Sequence, residues 1–244
     1  VEKALDWLRQ KGLSKAAKRA DRATSEGVIA LSACPCGKAS TIVEVMTETD
    51  FVAHGEKFQE FAKMVAEKIG KDNVTDLSTF DDAKNDLIVS TGEKTEIGRF
   101  FRWTLEGEGC IGSYVHSNGK LAVLVELKTD KPCTDDVKEL AKNIAMQIAA
   151  QQPLAISIDD LDQALLERER EVYRQKAREE GKPEKIIDKI AEGAIKKYCK
   201  DVCLLDQIYI KDDKLSIRDL VNACAKAAGL EITISRFQRI QLGA

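Results

Sequence analysis

Proline is scarce in this chain, at 4 of 244 residues, and histidine scarcer still, at 2. With only 15 glycines as well, there is little room for low-complexity linkers. Net charge is nearly absent, because 38 Lys and Arg face 41 Asp and Glu, leaving −3. Nucleic-acid-binding domains usually carry a basic excess, so a polyanion is excluded as the main partner. No apolar run approaches the roughly 18 residues of a membrane span, so no membrane association is expected. The opening Val-Glu-Lys-Ala-Leu-Asp does not read as a secretory signal, and the missing initiator Met points to residues absent upstream. No Walker A sequence, GxGxxG or HExxH is present. The two histidines, His54 and His116, lie far apart with no local catalytic signature. The chain is therefore not expected to be an enzyme, and no catalytic residue, metal or cofactor is assigned.

Cysteine, by contrast, is present seven times, at Cys34, Cys36, Cys110, Cys133, Cys199, Cys203 and Cys224. An odd count at irregular spacing is a poor disulfide framework and points to reduced thiols in a cytoplasmic protein. Cys34-Pro35-Cys36 is too tight for a zinc ligand pair, and Cys199 and Cys203 lack a matching second pair. A thiol redox or metal-binding protein using these Cys pairs is the alternative reading.

Apolar residues make up 43% of the chain, enough for an ordered core. Their period changes along its length. Residues 1–20 predict two short helices, with Val1, Leu5 and Leu8 on one face. Val28-Ile29-Ala30-Leu31 and Thr41-Ile42-Val43-Glu44-Val45-Met46 are β-branched runs around Pro35 and Gly37, a hairpin pattern. Phe58, Phe61, Val65 and Ile69 then predict a helix stopped by Gly70. The same order returns in Gly109–Tyr114, a turn at Ser117–Lys120, the strand Leu121–Leu127, and a helix carrying Val137, Leu140, Ile144 and Ile148. Gly27 matches Gly109, Gly37-Lys38 matches Gly119-Lys120, and Glu44 matches Glu126, each 82 positions apart. This is an internal duplication.

The fold class is α+β: two similar strand-strand-helix core subdomains with an inserted antiparallel helical hairpin, or coiled coil. The hairpin occupies 161–199, where a helix loaded with Glu and Arg ends at Gly181-Lys182-Pro183 and a second carries Ile186, Ile187, Ile190 and Ile195. The domains are 1–22, 23–107 and 108–244, the last containing the hairpin. Ile232-Thr233-Ile234 starts a final strand that joins the second sheet.

One segment carries the functional argument: Thr47-Glu48-Thr49-Asp50-Phe51-Val52-Ala53, between a strand and a helix. Either Phe51 packs under the helix with Asp50 as its cap, or the two form an exposed binding element. Thr49-Asp50-Phe51-Val52 resembles the Thr-Asp-Phe-Val signature of the translation elongation factor Ts family. The resemblance runs on through Gly112-Ser113-Tyr114-Val115-His116, Gly181-Lys182-Pro183, Glu192–Lys197 and Arg236-Phe237, in order along the chain. It implies two core subdomains and a coiled coil of bacterial type, with most of an N-terminal ubiquitin-associated-like helical module missing and only its remnant at 1–22. It also implies a guanine nucleotide exchange factor that binds the GTPase elongation factor Tu and promotes GDP release during translation. Thr49, Asp50, Phe51, Val52 and His116 would then meet the partner, with Phe51 as a wedge and Asp50 as the polar anchor beside it. The expected place is the cytoplasm or an organellar matrix, and a homodimer of the complex is left open. Residues 71–100 match the family weakly, and nothing is carried over there.

Overall fold

A computed structural model describes residues 21–243, so the two short helices expected within 1–20 lie outside the described residues. The first β-branched runs form β1 (Glu26–Ala33) and β2 (Ala39–Thr47), paired antiparallel with Val28 opposite Val45. Thr49 caps a four-residue helix, α1 (Asp50–Ala53), and the longer α2 (Glu56–Asp72) follows. Phe58, Phe61, Val65 and Ile69 all face inward from α2 onto the sheet. Gly70 does not stop this helix, which continues to Asp72 and closes at Asn73 with a φ of 55°. Gly70 instead gives clearance, since a Cβ there would lie 3.1 Å from Thr41 Oγ1 on the sheet beneath.

Residues 71–100 hold a short 3-10 turn at Leu77–Phe80, a helix α3 (Asp81–Thr91), and the start of a strand β3 (Glu96–Thr104). β3 pairs with β2, so the first subdomain has three strands in the order β1-β2-β3 rather than two. The second repeats the plan with β4 (Gly109–Val115), β5 (Leu121–Thr129) and helix α4 (Asp135–Gln151). Two charged helices follow, α5 (Gln163–Glu179) and α6 (Glu184–Val202). A small ribbon of β6 (Ile208–Tyr209) and β7 (Asp212–Ser216) leads into α7 (Ile217–Ala228), capped by reciprocal Ser216 and Asp219 hydrogen bonds. β8 (Ile232–Gln241) joins β5, as its β-branched opening predicts, and completes a sheet in the order β4-β5-β8.

The duplication extends to details of the backbone. Gly27 and Gly109 open equivalent strands with φ of 148° and 136°. A Cβ at either would fall 2.1 Å from a carbonyl oxygen of the neighbouring strand, Val45 or Leu127. Only glycine permits that approach. Glu44 and Glu126, 3% and 4% exposed, sit where the ladders to β3 and β8 shift register. Each carboxylate is met by an Arg from the third strand: Arg99 Nη2 donates to Glu44 at 2.6 Å and Arg236 Nη2 to Glu126 at 2.7 Å. Those arginines belong to matching runs, Ile97-Gly98-Arg99-Phe100 and Ile234-Ser235-Arg236-Phe237. That match is the sequence signal that marks β3 as the counterpart of β8.

The two sheets join about a local pseudo-two-fold. Ile29 N–H donates to the Gly119 carbonyl and Ile111 N–H to the Gly37 carbonyl, both at 2.7 Å. Leu105 N–H and Leu242 N–H likewise donate to the carbonyls of Lys38 and Lys120. Besides the core between each sheet and its helices, a third apolar cluster fills the seam. It draws Ile29, Ile42 and Trp103 from the first sheet and Ile111, Leu124 and Ile240 from the second. Arg236 stacks over Trp103 at 4.2 Å from the ring centre, and Arg99 reaches the Gln241 carbonyl at 3.1 Å, so each arginine also touches the opposite half.

α5 and α6 run antiparallel and pack on each other. Arg174 donates to Asp188 at 2.8 Å and Arg178 to Glu184 at 3.4 Å across the pair. Between them lies a thin apolar seam with Leu166 and Ala177 on one helix and Ile187, Ala191 and Ile195 on the other. At the base it merges with a cluster of Ala155, Leu161, Cys199 and Cys203.

Candidate functional site

The segment between β2 and α2 is built from short-range chemistry. Thr47 is buried at the end of β2, and Thr49 takes an extended conformation with φ of −125°. Its hydroxyl accepts the Val52 N–H at 3.4 Å, the usual N-cap bond. Asp50 is therefore not the cap. It occupies the first turn of α1, where a negative charge suits the helix dipole. The helical turn directs Ala53 into the core and tucks Val52 against it. Phe51 points the other way and is 86% exposed, so it does not pack beneath the helix. An exposed ring of this size has few contacts to hold it, and its direction is set by the backbone. His54 closes the turn: the Asp50 carbonyl accepts the His54 N–H at 3.0 Å and lies 2.7 Å from Nδ1. A carbonyl only accepts, so the imidazole proton there resides on Nδ1.

A second chain segment grips this one. Gly92 ends α3 with φ of 77° and delivers Glu93 to the Thr47–Thr49 segment. One Glu93 oxygen accepts the Thr47 hydroxyl and the Thr49 N–H, both at 3.0 Å, and the other accepts the Thr49 hydroxyl at 2.7 Å. Glu48 reaches back in the opposite sense and accepts the Lys94 N–H at 2.7 Å and Arg22 Nη1 at 3.0 Å. Sequence reasoning missed Glu93, because its partners stand more than 40 positions away and no local pattern links them.

His116 follows β4 at the head of the second hairpin turn. Its N–H donates to the Leu121 carbonyl and its own carbonyl accepts the Gly119 N–H. Tyr114 approaches the imidazole edge-on at 6.5 Å between ring centres. His116 and His54 both line a cleft of about 500 Å³ between the subdomains, together with Gln59, Lys63 and Val28 to Leu31 of β1. Of the expected partner-binding residues only His116 lines this cleft; Thr49, Asp50, Phe51 and Val52 do not, and they precede His54, which ends α1.

The thiols behave differently from the sequence expectation of seven reduced cysteines. Cys34 and Cys36 are joined in a disulfide across the exposed β1–β2 turn, their Cα atoms 5.2 Å apart. Pro35 and the Gly37 N–H donating to the Cys34 carbonyl shape that turn so that two sulfurs so close in sequence meet. Burial pushes the Cys203 thiol up to about 11 and raises Cys110 and Cys199 as well. A suppressed thiolate is a poor nucleophile. Cys34 and Cys36 lie on the first hairpin and Cys199 and Cys203 at the base of the charged helices, so the pairs form no common centre. Among the described residues, no three His, Cys, Asp or Glu side chains gather where they could hold a metal ion. Among the same residues, no helix is long and apolar enough to cross a membrane.

The comparisons with known proteins agree with this architecture. The family model described as Elongation factor TS matches residues 48–244. The chain is 52% identical over 246 residues to the elongation factor Ts of Nitratidesulfovibrio vulgaris, spanning 100% of this chain and 85% of that protein. It is 50% identical over 260 residues to that of Lawsonia intracellularis, spanning 88% of that protein. It is 42% identical over 254 residues to that of Clostridium perfringens, spanning 83%. A duplicated core, a Thr-Asp-Phe-Val segment with its ring in solvent, and matches along the whole chain lead to one conclusion: the chain belongs to the elongation factor Ts family.

Proposed function

We propose that this chain is a guanine nucleotide exchange factor that binds elongation factor Tu in its GDP state and promotes GDP release during translation elongation. The observation that carries the reading is the 86% exposure of Phe51 on a capped, carboxylate-clasped turn. A large ring held in solvent costs free energy in the isolated protein and is repaid when a partner pocket covers it. In this reading Phe51 wedges between partner side chains and Asp50 anchors the polar groups beside it. Thr49 and Val52 hold the turn in place, and His116 meets the partner from the other side of the cleft. The place of action is the cytoplasm.

GTPases hold nucleotide through backbone N–H groups, a lysine and a bound Mg²⁺. A wedge that displaces the segments carrying those groups weakens GDP and performs no chemical step on it. The coupling is reciprocal, so nucleotide must weaken the exchange factor by the same factor. Entering GTP then expels the factor and completes the cycle.

The test is the release of fluorescently labelled GDP from purified elongation factor Tu, with and without the chain. Micromolar chain is expected to accelerate release, and Phe51→Ala to cut that acceleration by about tenfold or more, the usual loss at an interface hot spot. Its circular dichroism should stay unchanged. Absence of acceleration by the intact chain would overturn the reading.

A further inference from the structure

We propose that Glu93 is the positioning residue for the Phe51 turn, fixing the direction in which the ring is presented to the partner. This rests on the exchange reading above. Three observations point to it.

The first is the number of bonds. Glu93 accepts from the Thr47 hydroxyl, the Thr49 N–H and the Thr49 hydroxyl, at 3.0, 3.0 and 2.7 Å. An ionised carboxylate is an acceptor at both oxygens, so all three donors are matched at once. Hydrogen bonds to a charged acceptor are about twice as strong as neutral ones.

The second is a relay. The Thr49 hydroxyl donates to Glu93 and accepts the Val52 N–H. By accepting the hydroxyl's hydrogen bond, the carboxylate leaves a Thr49 lone pair facing the helix. The cap on α1 is thus oriented from outside, and linked bonds of this kind strengthen one another.

The third is the shortness of the helix that carries the ring, which otherwise rests on Ala53 in the core, the His54 bonds and Gln59 Nε2 donating to the Ala53 carbonyl at 2.6 Å. α1 is only four residues long, too short to be stable on its own. Phe51 is 86% exposed and is aimed by its backbone alone. Glu93 arrives on the segment between α3 and β3, and that segment is held by the reverse bond from the Lys94 N–H to Glu48 at 2.7 Å. The two carboxylates form a reciprocal clasp between segments more than 40 positions apart. A turn ordered before binding spares the partner the entropy of ordering it.

The experiment compares Glu93→Ala, Glu93→Gln, Phe51→Ala and the Glu93→Ala/Phe51→Ala double variant in the full chain. Two readouts are used: labelled-GDP release from elongation factor Tu, and hydrogen exchange at the amides of residues 49–54 in the free chain. Glu93→Ala is expected to slow catalysed release about tenfold, the loss that follows from removing hydrogen bonds to a charged group. It should speed exchange at the Thr49 and Val52 amides and leave amides of β5 unchanged. Glu93→Gln keeps one acceptor oxygen and should recover part of both effects. The double variant should be no slower than Phe51→Ala, because without the ring its direction no longer matters. Wild-type release by Glu93→Ala, unchanged exchange at residues 49–54, or multiplying losses in the double variant would each overturn the proposal. Should Glu93→Ala fail to fold, Thr47→Val removes one of the three donors and is judged by the same two readouts. If the intact chain accelerates no release, the exchange reading has failed, and the amide readout alone decides whether Glu93 holds the turn.

Discussion

Phe51 and Glu44 show how residues of opposite character can break the usual burial rule for opposite reasons. Phe51 is a large apolar side chain in solvent, and Glu44 is a carboxylate that is 3% exposed. The first is tolerated because the turn around it is satisfied by hydrogen bonds. The second is tolerated because Arg99 meets it through Nε at 2.8 Å and Nη2 at 2.6 Å. Removing the arginine leaves a buried charge without its counter-ion, which is costlier than never having had the pair. Arg99→Ala is therefore expected to destabilise the chain by about 2 kcal/mol, less than a fully buried pair because the arginine side is half exposed. Urea unfolding followed by circular dichroism checks this, and Glu44→Gln should be milder than Arg99→Ala. The sequence marked Glu44 through its match with Glu126. Arg99 escaped notice because it lies in the stretch with the weakest resemblance to the family. Phe51 was marked by its motif, yet its exposure was not readable, since a ring beside a helix start can point either way. The same limit hid Glu93.

At the scale of elements, the two charged helices and the central sheets are stabilised differently. Each sheet is covered by its own helices and shares the seam. α5 and α6 bury chiefly a thin stripe, and their flanks carry ion pairs such as those of Arg174 with Glu167, Glu171 and Asp188. Exposed pairs of this kind add little each. The stripe therefore decides whether the pair holds. Ile187, 2% exposed, is part of it. Ile187→Ala is expected to cost the helix pair about 2–4 kcal/mol. Hydrogen exchange should show α5 and α6 opening while the amides of β2 and β5 keep their protection. Equal loss of protection in sheets and helices would contradict a separately opening unit. The helix positions were legible from apolar spacing and from Gly181 and Pro183. The third strand of the first sheet was not, because its burial pattern is irregular and its pairing partner β2 is remote in sequence.

Across the whole molecule, the pseudo-two-fold makes the halves depend on each other. Trp103 is 8% exposed in the seam, beneath Arg236 of the opposite sheet. Trp103→Ala is expected to cost about 3–5 kcal/mol. It should lower the protection of Val45 and Leu127 amides together, with one unfolding transition by circular dichroism. Loss confined to the first sheet would show that the seam does not couple the halves.

The amino-acid sequence by itself determined the α+β class, the duplication, most of the helix positions and the Thr-Asp-Phe-Val segment. These depend on short-range quantities: period, capping residues, glycines at positions of positive φ, and matched runs. Only the tertiary structure decided that Phe51 faces solvent, that Glu93 grips its turn, that Arg99 and Arg236 answer the two buried glutamates, and that the sheets share a third core. Each of those outcomes depends on which distant segments meet, and burial and hydrogen bonding are properties of the meeting rather than of either segment.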